Sequence, residues 1–156
     1  MKHTLAIAGC CGYIGTHMTR AALDLGLKVC GIDPLLKVSD WEQHSGFEAV
    51  ETVDAFCDLG ADRYYLALQP DHRAPYLDRL IRDGRPIFSE KPMSRARDPE
   101  QCLKLVADLA DSDATIGYNF LLIFNPITEK ILTFFRRHQS VGLRYMRSLS
   151  EKNRES

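Results

Sequence analysis

The stretch Leu5-Ala6-Ile7-Ala8-Gly9-Cys10-Cys11-Gly12-Tyr13-Ile14-Gly15-Thr16-His17-Met18 passes from an apolar run through three glycines into a helix-like segment. Thr4 to Ala8 is short, apolar and stopped by Gly9, the pattern of a buried strand. Tyr13 to Leu25 then carries apolar residues at helical spacing and is ended by Gly26. Leu27 to Ile32 is a second apolar run, closed by Asp33-Pro34, so residues 4–33 have the length of one βαβ unit.

Working outward, the alternation repeats. Arg63 to Leu68 reads as a strand, Asp71 to Asp83 as a helix ended by Gly84, and Pro86 to Ser89 as a strand. Asp98 to Asp111 follows as a helix with Cys102, Leu105, Val106 and Leu109 on one face, then Ala114 to Tyr118 as a strand. Pro126 to His138 is expected to be a helix turning Ile127, Ile131, Phe134 and Phe135 inward. Between Leu35 and Cys57 the signal weakens: Trp41, Phe47, Val50, Val53 and Phe56 suggest a short helix, a strand near 47–51 and another helical turn. Strand and helix alternating in this way predict an α/β fold, a doubly wound, mostly parallel sheet of Rossmann-like type.

The whole chain is consistent with that class. Its 156 residues fit one domain of ordinary size, and 45% apolar residues suffice for a core. A formal net charge of -1 gives no global field for nucleic acid or an anionic membrane, so no partner of either kind is expected and a small-molecule partner is favoured. No apolar run approaches a membrane span, and the start is too short in apolar residues for a secretory signal, which leads to a cytoplasmic expectation. The five cysteines, Cys10, Cys11, Cys30, Cys57 and Cys102, form an odd set without metal-like pairs and are expected to be reduced thiols. Cys10-Cys11 is either a redox switch on the loop or two small side chains where bulk would clash.

The glycine loop carries the first chemical expectation. The pyrophosphate of a dinucleotide must approach backbone amides at a helix N-terminus, where unpaired N–H groups and the helix dipole attract anions. Gly9 allows the turn out of the strand, Gly12 lets phosphates approach, and Gly15 lets the helix pack on the sheet, with Tyr13 and Ile14 between them. Asp33, at the end of the next strand, stands where an acidic residue bonds the adenosine ribose hydroxyls. Its carboxylate accepts from a 2′-hydroxyl and repels a 2′-phosphate, so NAD is expected over NADP, with Lys37 the one cation nearby to count against it.

AGCCGYIGTHM resembles the opening of the extended short-chain dehydrogenases, but those enzymes need a Tyr-x-x-x-Lys pair. None of the six tyrosines is followed four residues later by lysine, so the catalytic part of that resemblance fails. FSEKPMS, Phe88 to Ser94, resembles the Glu-Lys-Pro signature of the Gfo/Idh/MocA oxidoreductases. The resemblance extends to the glycine loop, Asp33, YLALQPDH (Tyr65 to His72) and IGYNFLLIFNP (Ile116 to Pro126). It implies cofactor contacts at Gln69, Pro70, Glu90, Lys91 and Asn119, and hydride transfer between the nicotinamide and a small hydroxy or keto compound, sugar-like or polyol-like. Independently, Lys91 lies just beyond the carboxyl end of a predicted strand, where open α/β sheets bind ligands, and a lysine there can bond a reacting oxygen and share in proton transfer. Lys91 is the expected catalytic residue, with Glu90 either orienting it or lying near the nicotinamide.

Enzymes of that family continue into a second α/β domain that supplies further catalytic residues. Here the expected organisation is a dinucleotide-binding domain over 1–120, a linking helix over 121–140, and a final strand and polar tail over 141–156. The wholly apolar Phe120 to Phe124 stands where the family often has an arginine, which bears on recognition of a polar sugar. A strand over Val141 to Leu149 would offer an apolar edge, so a homo-oligomer or a partner subunit is expected. The alternative function is a non-catalytic NAD-binding regulatory or interaction subunit.

Overall fold

The computed structural model describes residues 3–36, 41, 44–92 and 98–119, together with 130 and 133. Lys37, Met93, Ser94, the apolar segment Phe120 to Phe124, the linking helix and the final strand and tail lie outside the described residues, apart from positions 130 and 133. The chain divides into two compact units, Met1–Asn119 and Phe120–Ser156, and the first is described below.

The element order is β1 (Thr4–Ala8), α1 (Tyr13–Asp24), β2 (Lys28–Ile32), β3 (Phe47–Ala49), α2 (Val53–Cys57), β4 (Arg63–Leu66), α3 (Pro70–Arg82), β5 (Ile87–Ser89), α4 (Pro99–Ala110) and β6 (Ile116–Tyr118). All strand pairs are parallel, in the order β3-β2-β1-β4-β5-β6. This is the doubly wound Rossmann order, whose direction of winding reverses between β1 and β4.

Period-2 alternation within the strands builds the two faces. Ala6 and Ala8 of β1 and Tyr64 and Leu66 of β4 enter one core with Phe56, Tyr76, Leu77, Leu80, Ile81 and Leu105, the side covered by α2, α3 and α4. Ile7 and Tyr65 point the other way, to a core with Ala22, Val29 and Cys10 beneath α1. Central strands covered on both faces have no polar side to show, which is why β1 is apolar from Leu5 to Ala8.

Two expectations are corrected. β4 ends at Leu66 instead of Leu68, because the chain turns there and the Leu68 carbonyl accepts a hydrogen bond from Arg73. The apolar face expected on α4 is buried only at Leu105; Val106 is 64% exposed, because the helix meets the core along one edge. The weak region after Leu35 resolves, among its described residues, into β3 and the short α2.

Candidate functional site

The register of the sheet brings the expected site residues together. Ala8 pairs with Ile32 and Leu66, Leu66 with Ser89, and Ser89 with Tyr118, so the carboxyl ends of five strands fall in one row. Gly9, Asp33, Ala67, Glu90 and Asn119 are the residues that directly follow this row. Backbone bonds continue one step past it: Gly9 N–H donates to Ile32 O (2.8 Å), Ala67 N–H to Ala8 O (2.9 Å), Glu90 N–H to Leu66 O (3.2 Å) and Asn119 N–H to Ser89 O (3.0 Å).

The three loop glycines serve different purposes. Gly9 has φ +82°, and a Cβ there would lie 2.7 Å from Ala67 O, so the turn needs glycine for both its backbone and its packing. A Cβ on Gly15 would lie 1.9 Å from Gly9 O, so α1 can sit this close to the loop only without a side chain. Gly12 is unlike both: it has φ −68°, and an added Cβ would meet only Gly9 O, at 3.4 Å. Among the described residues no contact requires glycine at that position.

Gly12 is the N-cap of α1, and it provides no side-chain cap. Gln69, the N-cap of α3, also makes no side-chain cap bond, whereas Thr52 accepts from Ala55 N–H at the start of α2 (3.1 Å) and Asp98 from Gln101 N–H at the start of α4 (2.9 Å). The two uncapped helices are those that follow β1 and β4, the strands at the winding reversal. At α1 the first N–H groups face an end without a side-chain acceptor, whereas α3 opens on Pro70, which has no N–H, and His72 N–H donates to Gln69 O (3.1 Å). Tyr13 is 80% exposed and packs edge-on against His17, and Ile14 is exposed beside it.

Asp33 is held from two sides: Oδ2 accepts from Cys11 N–H (3.0 Å) and Oδ1 from Leu35 N–H (2.9 Å). An ionised carboxylate has acceptor capacity beyond these two bonds. A cavity of about 550 Å³ opens beside it, lined by Ile32, Pro34, Leu36, Val53 and Tyr76 among others. Cys10 Sγ, Cys11 Sγ and an Asp33 carboxylate oxygen all lie within 4.8 Å of one another. Cysteine spacing alone does not reveal this grouping, because its third member, Asp33, follows β2 and is 22 residues along from Cys11.

At the other end of the row, Glu90 Oε1 accepts from the Tyr65 hydroxyl (2.5 Å) and from Asn119 Nδ2 (2.6 Å). Burial, reinforced by this bond to Glu90, pushes the Tyr65 phenol far above its ordinary range, so it remains a proton donor to the carboxylate. Glu90 is therefore fastened to the sheet. Lys91 is exposed, and among the described residues no hydrogen bond or ion pair restrains its ammonium group; its bond to Pro92 is cis.

Arg73 was not expected as a site residue. It is fully buried, and its guanidinium donates to Glu90 O (2.5 Å), Pro92 O (2.6 Å) and Leu68 O. One side chain thus joins the Leu68–Gln69–Pro70 turn to the Glu90–Lys91–Pro92 turn. Burial draws its pKa down, opposed by Tyr118, Glu90 and Tyr65 nearby. The signal available in the sequence was slight: an arginine in the first turn of an amphipathic helix, where a solvated cation is the ordinary expectation. His72, its neighbour, is exposed, and Gln69 is exposed at the mouth of the turn.

No family model matches the chain, and no curated protein matches it. Solved structures do. The chain is similar to the WlbA (WbpB) dehydrogenase from Thermus thermophilus in complex with NAD and UDP-GlcNAcA, with a TM-score of 0.68 and 20% identity over 87% of this chain and 47% of that one. The 3-ketoreductase KijD10 from Actinomadura kijaniata, in complex with NADP and TDP-benzene, gives a TM-score of 0.66 at 20% identity over 88% and 43%. UDP-N-acetylglucosamine 3-dehydrogenase GnnA from Acidithiobacillus ferrooxidans gives 0.68 at 13% identity over 86% and 43%. At these identities the likeness establishes a shared fold, and the chain spans less than half the length of each. Among the described residues no helix is long and apolar enough to cross a membrane.

Proposed function

We propose that the chain is the dinucleotide-binding part of an oxidoreductase of the Gfo/Idh/MocA type, binding NAD in preference to NADP. The observation that carries this reading is the single row of register after which Gly9, Asp33, Glu90 and Asn119 stand together at the carboxyl edge of the sheet. The local chemistry fits the group. Among the described residues no contact requires glycine at Gly12, the N-termini of α1 and α3 lack side-chain caps, and Asp33 keeps acceptor capacity beside a cavity. Similarity in fold to structures holding NAD or NADP supports the same reading.

In this reading the amides of Tyr13, Ile14 and Gly15 hold the pyrophosphate, which approaches over Gly12, whose own N–H donates to Gly9 O, and Asp33 holds the adenosine ribose. A fixed carboxylate at that position repels a 2′-phosphate, hence the preference for NAD. Gln69 and Pro70 border the cofactor through backbone. Bound nicotinamide supplies the acceptor or donor of hydride for a small hydroxy or keto compound, sugar-like or polyol-like. Lys91 is the proton-transfer residue: its Nζ bonds the reacting oxygen, taking the hydroxyl proton when the substrate is oxidised and returning one when the carbonyl is reduced. Glu90 and Asn119 shape the floor beneath it, with Glu90 held by Tyr65 and Asn119. A second domain, or a partner chain, would complete the substrate site.

Calorimetric titration with NAD, NADH and NADP tests the binding half. NAD and NADH are expected to bind, with affinity falling about tenfold or more in Asp33→Ala, a loss of about 1.4 kcal/mol or more. A folded protein that binds neither overturns the reading. Lys91→Ala is expected to keep NAD affinity and lose turnover; unchanged turnover would remove Lys91 from the chemistry. A chain that binds NAD but shows no turnover with its partner domain present would instead be a binding subunit.

A further inference from the structure

We propose that Cys10, Cys11 and Asp33 form a binding site for a thiophilic divalent cation of the zinc and cadmium class. The cation arms of this inference do not depend on the nucleotide reading. Two sulfurs and a carboxylate oxygen converge to within 4.8 Å of one another although the third ligand comes from the end of β2, 22 residues along from Cys11. Thiolate and carboxylate are both ordinary donors to zinc, and the paired sulfurs favour soft d10 ions over magnesium or calcium. At Zn–S distances of about 2.3 Å and Zn–O distances of about 2.1 Å a tetrahedral ion holds its ligand atoms roughly 3.6–3.8 Å apart, so closing the site takes a contraction on the order of 1 Å. Both thiols give up a proton on coordination.

The surroundings suit such a site. Cys10 is fully buried, whereas Cys11 and Asp33 are half-buried, giving one anchored ligand and two at a mouth that a cation can reach. Gly31, in the neighbouring strand, leaves the Cys10 sulfur its place, since a Cβ there would lie 3.0 Å from Sγ. The carboxylate is already oriented by N–H groups from Cys11 and Leu35, the kind of outer support that positions metal ligands. Three protein ligands leave the fourth position of a tetrahedral ion to water or an external thiol.

The cation and the dinucleotide would compete, because both need Asp33 and the loop. This clause rests on the proposed function. Bound zinc would then hold the cofactor site closed and release it when a stronger chelator takes the ion.

The test uses the whole chain, reduced and freed of metal. Cadmium is titrated while the ultraviolet thiolate-to-cadmium charge-transfer band is followed, and zinc is titrated in competition with a chromophoric chelator. One equivalent of either ion is expected. Cys11→Ser is expected to weaken binding at least tenfold, Asp33→Asn to weaken it while keeping the band, and Cys102→Ser to leave both unchanged. Circular dichroism reports folding, and Cys11→Ala repeats the test should the serine variant unfold. No band in folded protein, or a band of unchanged affinity in either folded Cys11 variant, overturns the site. Where NAD binds, saturating zinc is expected to weaken NAD at least tenfold, and unchanged NAD affinity overturns the competition. A chain that binds cadmium through Cys11 but never NAD keeps the cation site and counts against the nucleotide reading alone.

Discussion

Gly12 and Gly15 look interchangeable in the loop, yet the space around each assigns them opposite roles. Gly15→Ala would drive a methyl group to 1.9 Å from Gly9 O, and backbone cannot yield as a flexible side chain does. It is expected to lose about 1–3 kcal/mol or more, the usual range for overpacking, seen as a fall in the urea midpoint. Gly12→Ala meets only an ordinary contact at 3.4 Å, so it is expected to keep its stability within about 1 kcal/mol. Its cost should appear in NAD affinity instead, and a Gly12→Ala protein that binds NAD as well as wild type would show that phosphates do not approach there. Arg73 gives a second prediction at this scale. Arg73→Ala leaves three carbonyls without their donor and opens space in the interior. A loss of about 3–5 kcal/mol is expected in denaturant unfolding, the scale of breaking a buried charged network. Arg73→Lys should rescue only part of it, because one ammonium cannot reproduce the planar fork.

The elements differ in how their ends are finished. α2 and α4 are closed by Thr52 and Asp98, whereas α1 and α3 begin without a side-chain cap at the winding reversal. A helix end without a cap is tolerable where water or a ligand supplies the acceptor. At the opposite edge of the sheet, Asp62 Oδ2 accepts from Thr4 N–H at the start of β1 (2.7 Å), and this bond, helped by His3, holds the Asp62 carboxyl below its usual value. A lowered folded pKa means stability that is present above the unfolded value of about 3.9 and lost as pH falls through the folded one. Asp62→Asn is therefore expected to be less stable than wild type near neutrality, with the gap closing below pH ~4. Parallel urea titrations from neutral to acid pH check this, and a gap independent of pH would remove the ionised carboxylate as its cause.

For the molecule as a whole, the row of register matters more than any one contact. Strands that end together place glycine, carboxylate, lysine and amide residues from distant segments at one edge, so a ligand can touch several of them at once. The neighbours in fold are about twice as long as this chain, and the proposed reaction draws on a second domain or a partner to finish its site. From Leu143, Tyr145, Met146 and Leu149 in the strand-like segment Val141 to Leu149 we expect a dimer or hetero-complex; a clean monomer across concentrations by light scattering would overturn that expectation.

What local patterning carries was legible in the chain by itself. The apolar runs and their glycine stops predict β1, α1, β2, α3 and β5 within a residue or two, because burial on a strand or helix repeats with a short period. The order of elements then leads to the parallel sheet, and the sheet to the edge where Gly9, Asp33, Lys91 and Asn119 lie. Only the tertiary structure decided what each site residue is fastened to. Arg73 reaches the main-chain carbonyl of Glu90 across 17 residues of chain, and Tyr65 and Asn119 reach its carboxylate across 25 and 29. No periodicity relates such positions. A buried donor must find its acceptor in space, and the crossing of separate strands and turns settles which one it finds.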